Sequence, residues 1–500
     1  MATMGLEREI VNPQVLRNTT ERFARAGILL PTFAQLADPA LIPERVENAL
    51  EAIDPDAAHP LNLFRVHWYN DADRRHRVSL PAHVVLPKSL TGVDAPIVLL
   101  IGNRFPMIGA HKVLAAYSCL VPRLVTGQFD PTAHRALWPS TGNYCRGGVA
   151  ISRIMDCRGI AILPEGMSRE RFDWLESWVC DPANDIIRTV GVESNVKEIY
   201  DKCGELEVEP ENVIFNQFSE FANHLGHYWC TGRACEHIFE TLREKNPALK
   251  LELFVSATGS AGTIAAGDYL KERHGSRIVA AEALECPTIL YNGFGDHNFQ
   301  GIGDKHIPLI HNVMNTDFAV AISDEDTDSL GVLFNHPVGH TYLRERRGVP
   351  EETIAALDQL GISSICNVLA AIKMARKLRL GPNDAIFTIA TDGWSMYTSE
   401  QQIAMQKRFG GRFDAISAGE TYARFILGQG IDHLREMTFE ERNRVFNLGY
   451  FTWVEQQGIA IEEFEARRRR AFWSDLHALV PIWDRLIEQV NAATGVLETL

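Results

Sequence analysis

The sequence predicts an α/β protein built on a mostly parallel sheet with helices on both faces. Three observations predict it. Short apolar runs alternate with helical stretches from about residue 94 onward, a rhythm that makes strands parallel because each crossover is a helix. Loops of small residues stand where a run ends and a helix begins, and ligands in such folds sit beyond the carboxyl ends of the strands. The chain has 500 residues, 46 % hydrophobic and 23 % charged. That is ordinary for a globular chain of two or more units at roughly 150 residues each.

In order, residues 1–90 read as a mixed leader. Thr19-Thr20-Glu21-Arg22-Phe23 is expected to start a helix, Val46–Leu50 to be helical and Leu63–Tyr69 to form a strand, with Pro- and Asp-rich joints between them. A core over 91–399 follows. Its expected strands are Pro96–Ile101, Ile160–Leu163, Ile186–Val190, Leu251–Val255, Ile278–Ala281 and Ala385–Ile389. Helices are expected over 145–157, 168–178, 194–203, 262–273 and 364–378. Residues 400–500 read as a helical extension with many aromatics, among them Phe446, Trp453, Trp473 and Trp483, a composition suited to a cap or an interface.

The formal net charge is −15, so no nucleic-acid or membrane-surface partner is expected. The run Arg467–Arg470 is expected to form a solvated or interface face. No apolar run reaches the ~20 residues of a membrane span. The start, Met1–Glu7, lacks the basic and apolar regions of a signal peptide. Nine scattered cysteines fit reduced thiols, and the expected compartment is the cytoplasm.

Several stretches carry chemistry. Lys112, in Gly109-Ala110-His111-Lys112, stands where a strand gives way to a helix. A lysine there lies near amides that favour anions and can act as nucleophile and proton shuttle. Thr258-Gly259-Ser260-Ala261-Gly262-Thr263 links a strand to a helix, and its small residues let amides approach a phosphate. Pro139-Ser140-Thr141-Gly142-Asn143 offers hydroxyls, an amide and N–H groups suited to a carboxylate. Asn216-Gln217-Phe218-Ser219, Gln300-Gly301-Ile302-Gly303 and Gly361-Ile362-Ser363-Ser364 complete the set. The spacing of His224, His227, Cys230, Cys235 and His237 matches no zinc arrangement, so no metal is expected.

The order of these motifs resembles the cysteine synthase-like family, pyridoxal-phosphate enzymes of fold type II in the tryptophan synthase β-subunit superfamily. The resemblance runs from about 94 to 399. It includes Glu165-Gly166-Met167-Ser168-Arg169-Glu170-Arg171, similar to the family's P-x-x-MS-x-ER, and His227–Gly232, similar to its H-x-x-T-T-G. It implies two lobes with mostly parallel sheets and pyridoxal 5′-phosphate as cofactor. Lys112 matches the cofactor-bonding catalytic lysine and Asn143 the contact to the ring oxygen. Gly259, Ser260, Ala261, Gly262 and Thr263 match the phosphate cradle. Ser140, Thr141 and Gln217 match contacts to the substrate carboxylate. The pyridine-nitrogen partner falls at Thr391 or Asp392, with Thr391 favoured.

Two departures stand out. Gly109–Val113 looks like the tryptophan synthase β-subunit, but that enzyme's catalytic glutamate would fall at Ser140. Tyr144-Cys145-Arg146 replaces threonine-glycine after the carboxylate loop, and Arg146 is expected to select a substrate with an extra anionic group. The implied activity is β-replacement on a small amino acid through an aminoacrylate, with a thiol or other nucleophile, by a homodimer. The alternatives are a β-eliminating lyase and a cofactor-binding scaffold with little turnover.

Overall fold

A computed structural model of the protein describes residues 5–192 and 194–500. The first four residues of the expected leader lie outside the described residues, as does Glu193, which adjoins the helix expected over 194–203.

The strands are β1 (His83–Leu86), β2 (Ile97–Ile101), β3 (Arg135–Pro139), β4 (Arg158–Pro164), β5 (Ile186–Thr189), β6 (Asn212–Ile214), β7 (Lys250–Ala257), β8 (Arg277–Ala283), β9 (Phe318–Ile322), β10 (Asp384–Ala390) and β11 (Leu434–Glu436). They form two sheets. The smaller has the order β5-β4-β3-β6 and the larger β1-β2-β10-β7-β8-β9-β11. Pairing is parallel throughout the small sheet. In the large sheet only the outer strands β1 and β11 run antiparallel to their neighbours. The predicted two-lobed α/β architecture is therefore present. β2 and β9 are buried along their whole length, as strands covered on both faces must be.

The chain begins the large sheet with β1 and β2, leaves through the helix Lys112–Val125 to build the small sheet, and returns at β7. That helix is buried from Val113 to Val125. It packs chiefly on the helices Asn143–Ile154 and Phe221–Gly226 and carries Lys112 at its first position.

The expected helices and core strands are found, with ends that differ by a few residues. Three expectations differ more. The first helix starts at Pro13, not near Thr19. Asn12 caps it by accepting from Gln14 N and Val15 N, and the Thr19 and Thr20 hydroxyls turn back onto Val15 O and Leu16 O. Leu63–Tyr69 forms no strand. Pro60–Arg65 is a 3₁₀ turn begun by the His59 side chain and Pro60. Its buried Arg65 guanidinium donates to Leu50 O, Ile53 O and Arg75 O, contacts made by residues distant in sequence. Finally, the extension is not all helix, because Leu434–Glu436 pairs with β9 as an edge strand.

The two ends of the chain pack together behind the helix Lys112–Val125. Leu30 N donates to Asn491 Oδ1 (2.9 Å) and Asn491 Nδ2 to Leu30 O (2.7 Å). The Tyr117 hydroxyl of the buried helix donates to Pro31 O. Asp484 accepts from Phe33 N (2.6 Å) and Ala34 N (3.1 Å), the first turn of the helix Phe33–Ala37. Burial pushes its carboxyl up to about 6. Asp484→Ala leaves both amides unpaired, and a stability loss of about 1–3 kcal/mol is expected in urea unfolding. The arginine run is not uniformly solvated. Arg467 is buried, donates to Leu309 O (2.7 Å) and lies over the rings of Phe446 and Phe464, while Arg469 and Arg470 are exposed. Among the described residues no helix is long and apolar enough to cross a membrane.

Candidate active site

A cavity opens between the two sheets. Lys112, Ser140, Thr141, Asn143, Gln217 and Thr391 line it. So do Gly259, Ser260, Ala261 and Thr263. Each follows the carboxyl end of a strand: β2, β3, β6, β7 or β10. Residues from both lobes thus meet in one cleft.

Lys112 begins its helix directly after His111, whose N–H donates to Thr391 O (3.2 Å). A bridge between Ala110 and Asp392 ties the same turn to the end of β10. Gly109 sits at φ +59°, where a side chain would be strained. The Lys112 amine donates to Ser260 Oγ (3.0 Å) and Gln217 Oε1 (3.2 Å). Beneath it His111 stacks on Trp68, with His227 at its edge (5.0 Å between centroids). Burial, helped by the Lys112 charge, pushes His111 down to about 3. Burial and the neighbouring His111 lower His227 as well. Both rings are neutral near pH 7.

The loop after β7 is shaped for an anion. Among the described residues, no hydrogen bond occupies the backbone N–H groups of Gly259–Thr263, which precede the helix Ala265–His274. A Cβ at 259 would strike Gly301 O, and one at 262 would strike Asn223 Oδ1. Gly262 does not itself line the cavity but lets the loop close on Asn223. Asn223 Nδ2 in turn donates to Ser260 Oγ (3.2 Å) and Gln217 O (3.1 Å). Open amides at a helix start, with a primary amine nearby, fit the phosphate and aldehyde of the implied cofactor.

Gln217 spans the cleft. Its Oε1 accepts from Lys112 and its Nε2 donates to Ser140 Oγ (3.3 Å), which also accepts from Gly142 N (3.1 Å). Thr141 lies in the same loop. This lip of hydroxyls and amides suits a carboxylate.

Arg146 lies elsewhere. It does not line the cavity but faces a separate cleft beside Trp174. Its guanidinium donates to Asn143 Oδ1 (3.0 Å) and Ile108 O (3.1 Å). Burial, then the nearby Arg171, pushes it down to about 9. The geometry places it behind Asn143, outside the lining of the cavity. Arg146→Ala is expected to leave the ranking of anionic and neutral substrates unchanged. It is also expected to lower stability by about 2–4 kcal/mol through the unpaired acceptors and the lost packing, as read from denaturant midpoints.

Thr391 and Asp392 separate cleanly. Thr391 lines the cavity. Asp392 points away from it, with Oδ2 accepting from Asn143 Nδ2 (2.6 Å) and the Tyr397 hydroxyl (2.8 Å). Burial pushes its carboxyl up from the usual range. Other residues at the site were not singled out by the sequence as site residues. Tyr144, Gln300 and Ser363 line the cavity, and Asn223, Arg171 and Tyr397 support it. Gln300 and Ser363 sit in glycine-bearing motifs, which is the signal that could have found them. Among the described residues no group of His, Cys, Asp or Glu could hold a metal ion. His224 and His477 instead stack on each other, with Nε2 atoms 3.2 Å apart.

No family model matches the chain. It is 28 % identical over 256 residues to the cystathionine beta-synthase of Saccharomyces cerevisiae, covering 48 % of this chain and 49 % of that one. The chain thus spans about half the length of this relative. The crystal structure of cysteine synthase from Entamoeba histolytica superposes with TM-score 0.54 at 19 % identity, over 70 % of this chain and 93 % of that one. A hydrogen sulfide-producing enzyme from Fusobacterium nucleatum gives 0.52 at 19 %, over 67 % and 98 %. The O-acetylserine dependent cystathionine beta-synthase from Helicobacter pylori gives 0.50 at 20 %, over 64 % and 94 %. The architecture is fold type II of the pyridoxal-phosphate enzymes. Within that fold, the resemblance to cysteine synthase-like enzymes read from the motifs is borne out by both sequence and structure.

Proposed function

We propose that the protein binds pyridoxal 5′-phosphate in this cavity and catalyses β-replacement on a small amino acid, with a thiol or similar nucleophile as the second substrate. The observation that supports this most is the setting of Lys112, whose amine lies between Ser260 Oγ and Gln217 Oε1 beside a loop of open amides. When bound, the cofactor draws electrons from the α-carbon of an amino acid joined to its aldehyde.

The chain's own residues do the rest. The N–H groups of Gly259, Ser260, Ala261, Gly262 and Thr263 hold the phosphate. Lys112 Nζ would anchor the cofactor and, as a free amine, would accept the α-proton. Ser140, Thr141 and Gln217 orient the α-carboxylate, so the α-hydrogen faces Lys112. Asn143 contacts the ring oxygen. Thr391, uncharged, is the partner of the ring nitrogen, supported by its position on the cavity wall.

The test is an absorption spectrum after loading with pyridoxal phosphate, then titration with amino acids carrying β-leaving groups. A visible band and a new amino acid formed only with added thiol are expected. A 2-oxo acid and ammonia in equal yield with and without thiol would point to elimination instead. No visible band would end the reading.

We further propose a homodimer acting in the cytoplasm, with units at 1–90, 91–399 and 400–500. Sedimentation, fractionation and limited proteolysis test these three points in turn.

A further inference from the structure

Asp392 stands at a crossing of the two lobes. Its backbone is fixed at the end of β10 by the bridge to Ala110 and by Gly361 N, which donates to Asp392 O (3.0 Å). Gly361 leaves no room for a Cβ, which would strike Asp392 Oδ1. The side chain is wholly buried. Its carboxylate holds the carboxamide of Asn143, a residue that follows β3 of the small sheet. The oxygen of that carboxamide accepts from Arg146 Nη1 (3.0 Å). An amide bound at both ends has one orientation.

The same carboxylate faces a second residue from the small-sheet lobe. Arg171 Nη2 lies 3.9 Å from Asp392 Oδ2 and donates to the Tyr397 hydroxyl (3.3 Å). Its Nη1 donates to Ser168 Oγ (2.8 Å) and to Gln300, which lines the cavity. The preceding residue makes a parallel crossing, because Glu170 accepts from Ser399 N (3.0 Å) and Ser399 Oγ (2.8 Å). One buried guanidinium, Arg171, therefore approaches a buried carboxylate that also receives an amide and a phenol, and a second, Arg146, holds the far end of that amide.

We propose that Asp392 is a positioning residue: it sets the Asn143 carboxamide for the ligand in the cavity and, through Arg171, fastens the small-sheet lobe to the large one. The inference rests on the reading of the cavity as a pyridoxal-phosphate site. Ligand retention and lobe closure are then one coupled property. Asn143 Nδ2, the Tyr397 hydroxyl and Arg171 Nη2 all face one oxygen, Oδ2. Asparagine offers at best a neutral acceptor there, so the charge facing Arg171 is lost and the hold on the Asn143 amide is weakened.

The experiment compares wild type, Asp392→Asn, Tyr397→Phe and the remote Asp484→Ala. Each is assayed for its Kd for pyridoxal 5′-phosphate by equilibrium dialysis, the position of the bound absorption band, and hydrogen exchange over 143–154 and 169–178. Asp392→Asn is expected to raise Kd about tenfold or more, to shift the band and to speed exchange in both segments. Tyr397→Phe, which removes one hydrogen bond, is expected to act in the same direction by about threefold. Asp484→Ala is expected to lower the unfolding midpoint and to leave Kd, band and exchange in these segments unchanged.

Wild-type Kd and exchange in Asp392→Asn would overturn the proposal, as would an equal rise in Kd for Asp484→Ala. If Asp392→Asn does not fold, Tyr397→Phe decides on the same readouts. If wild type binds no pyridoxal phosphate, the functional reading fails and exchange alone judges the fastening. Faster exchange in both segments supports it, and unchanged exchange overturns it.

Discussion

Lys112→Ala, loaded with pyridoxal phosphate, has no visible band of the wild-type kind and turns over about 10³-fold more slowly or worse. The loss is chemical, not structural. Lys112 occupies the first position of its helix, is not fully buried, and its amine donates to Gln217 and Ser260 in the cavity. Alanine is a good helix former there, and Ser260 retains a second partner in Asn223. The near-ultraviolet circular dichroism and the unfolding midpoint therefore stay close to wild type while the band disappears. A variant that kept full turnover would remove Lys112 from the chemistry.

The second large effect is expected at Gly259. A Cβ there strikes the carbonyl oxygen of Gly301, a backbone atom that no rotamer change can move aside. Gly259→Ala must displace either the loop 259–263 or the loop at 301. Both line the cavity, and a misplacement near 1 Å at such a site costs about 100-fold. The expected reading is a Kd for pyridoxal phosphate raised by about 100-fold with the fold intact. Gly204→Ala is the matching control. It lies within the helix Val196–Leu206 with nothing in reach of a new Cβ, so binding is unchanged and stability is equal or slightly higher.

Much of this molecule is legible in its sequence, for identifiable reasons. The central strands are continuous apolar runs such as Ile97–Ile101, and small-residue loops mark the cavity edge at 140–143 and 259–263. Both signals are local. What escaped is not. β6 is three residues long, and β11 exists because β9 offers it an edge. Leu63–Tyr69 alternates like a strand, yet its shape is fixed by Arg65 reaching carbonyls on two other segments. The same limit applies at the site. Lys112, Ser140, Asn143 and Gln217 were legible through motif order. The roles of Arg146 and Asp392 depend on which way each side chain turns, and neighbours from other elements decide that. Arg146 turns onto Asn143 and Trp174, and Asp392 onto Asn143 and Tyr397.

The helix Lys112–Val125 has no solvent face after its first residue. Most helices tolerate polar substitutions every third or fourth position, which gives a scan of single replacements a helical period. This one has no such stripe. A deep mutational scan should therefore read positions 113–125 as an unbroken block of intolerance, closer to a buried strand than to a helix. The exposed helix Val196–Leu206 should give the ordinary alternating pattern. The lysine at the head of that block is carried on the part of the chain least free to drift, so change of specificity has to come from the loops around it.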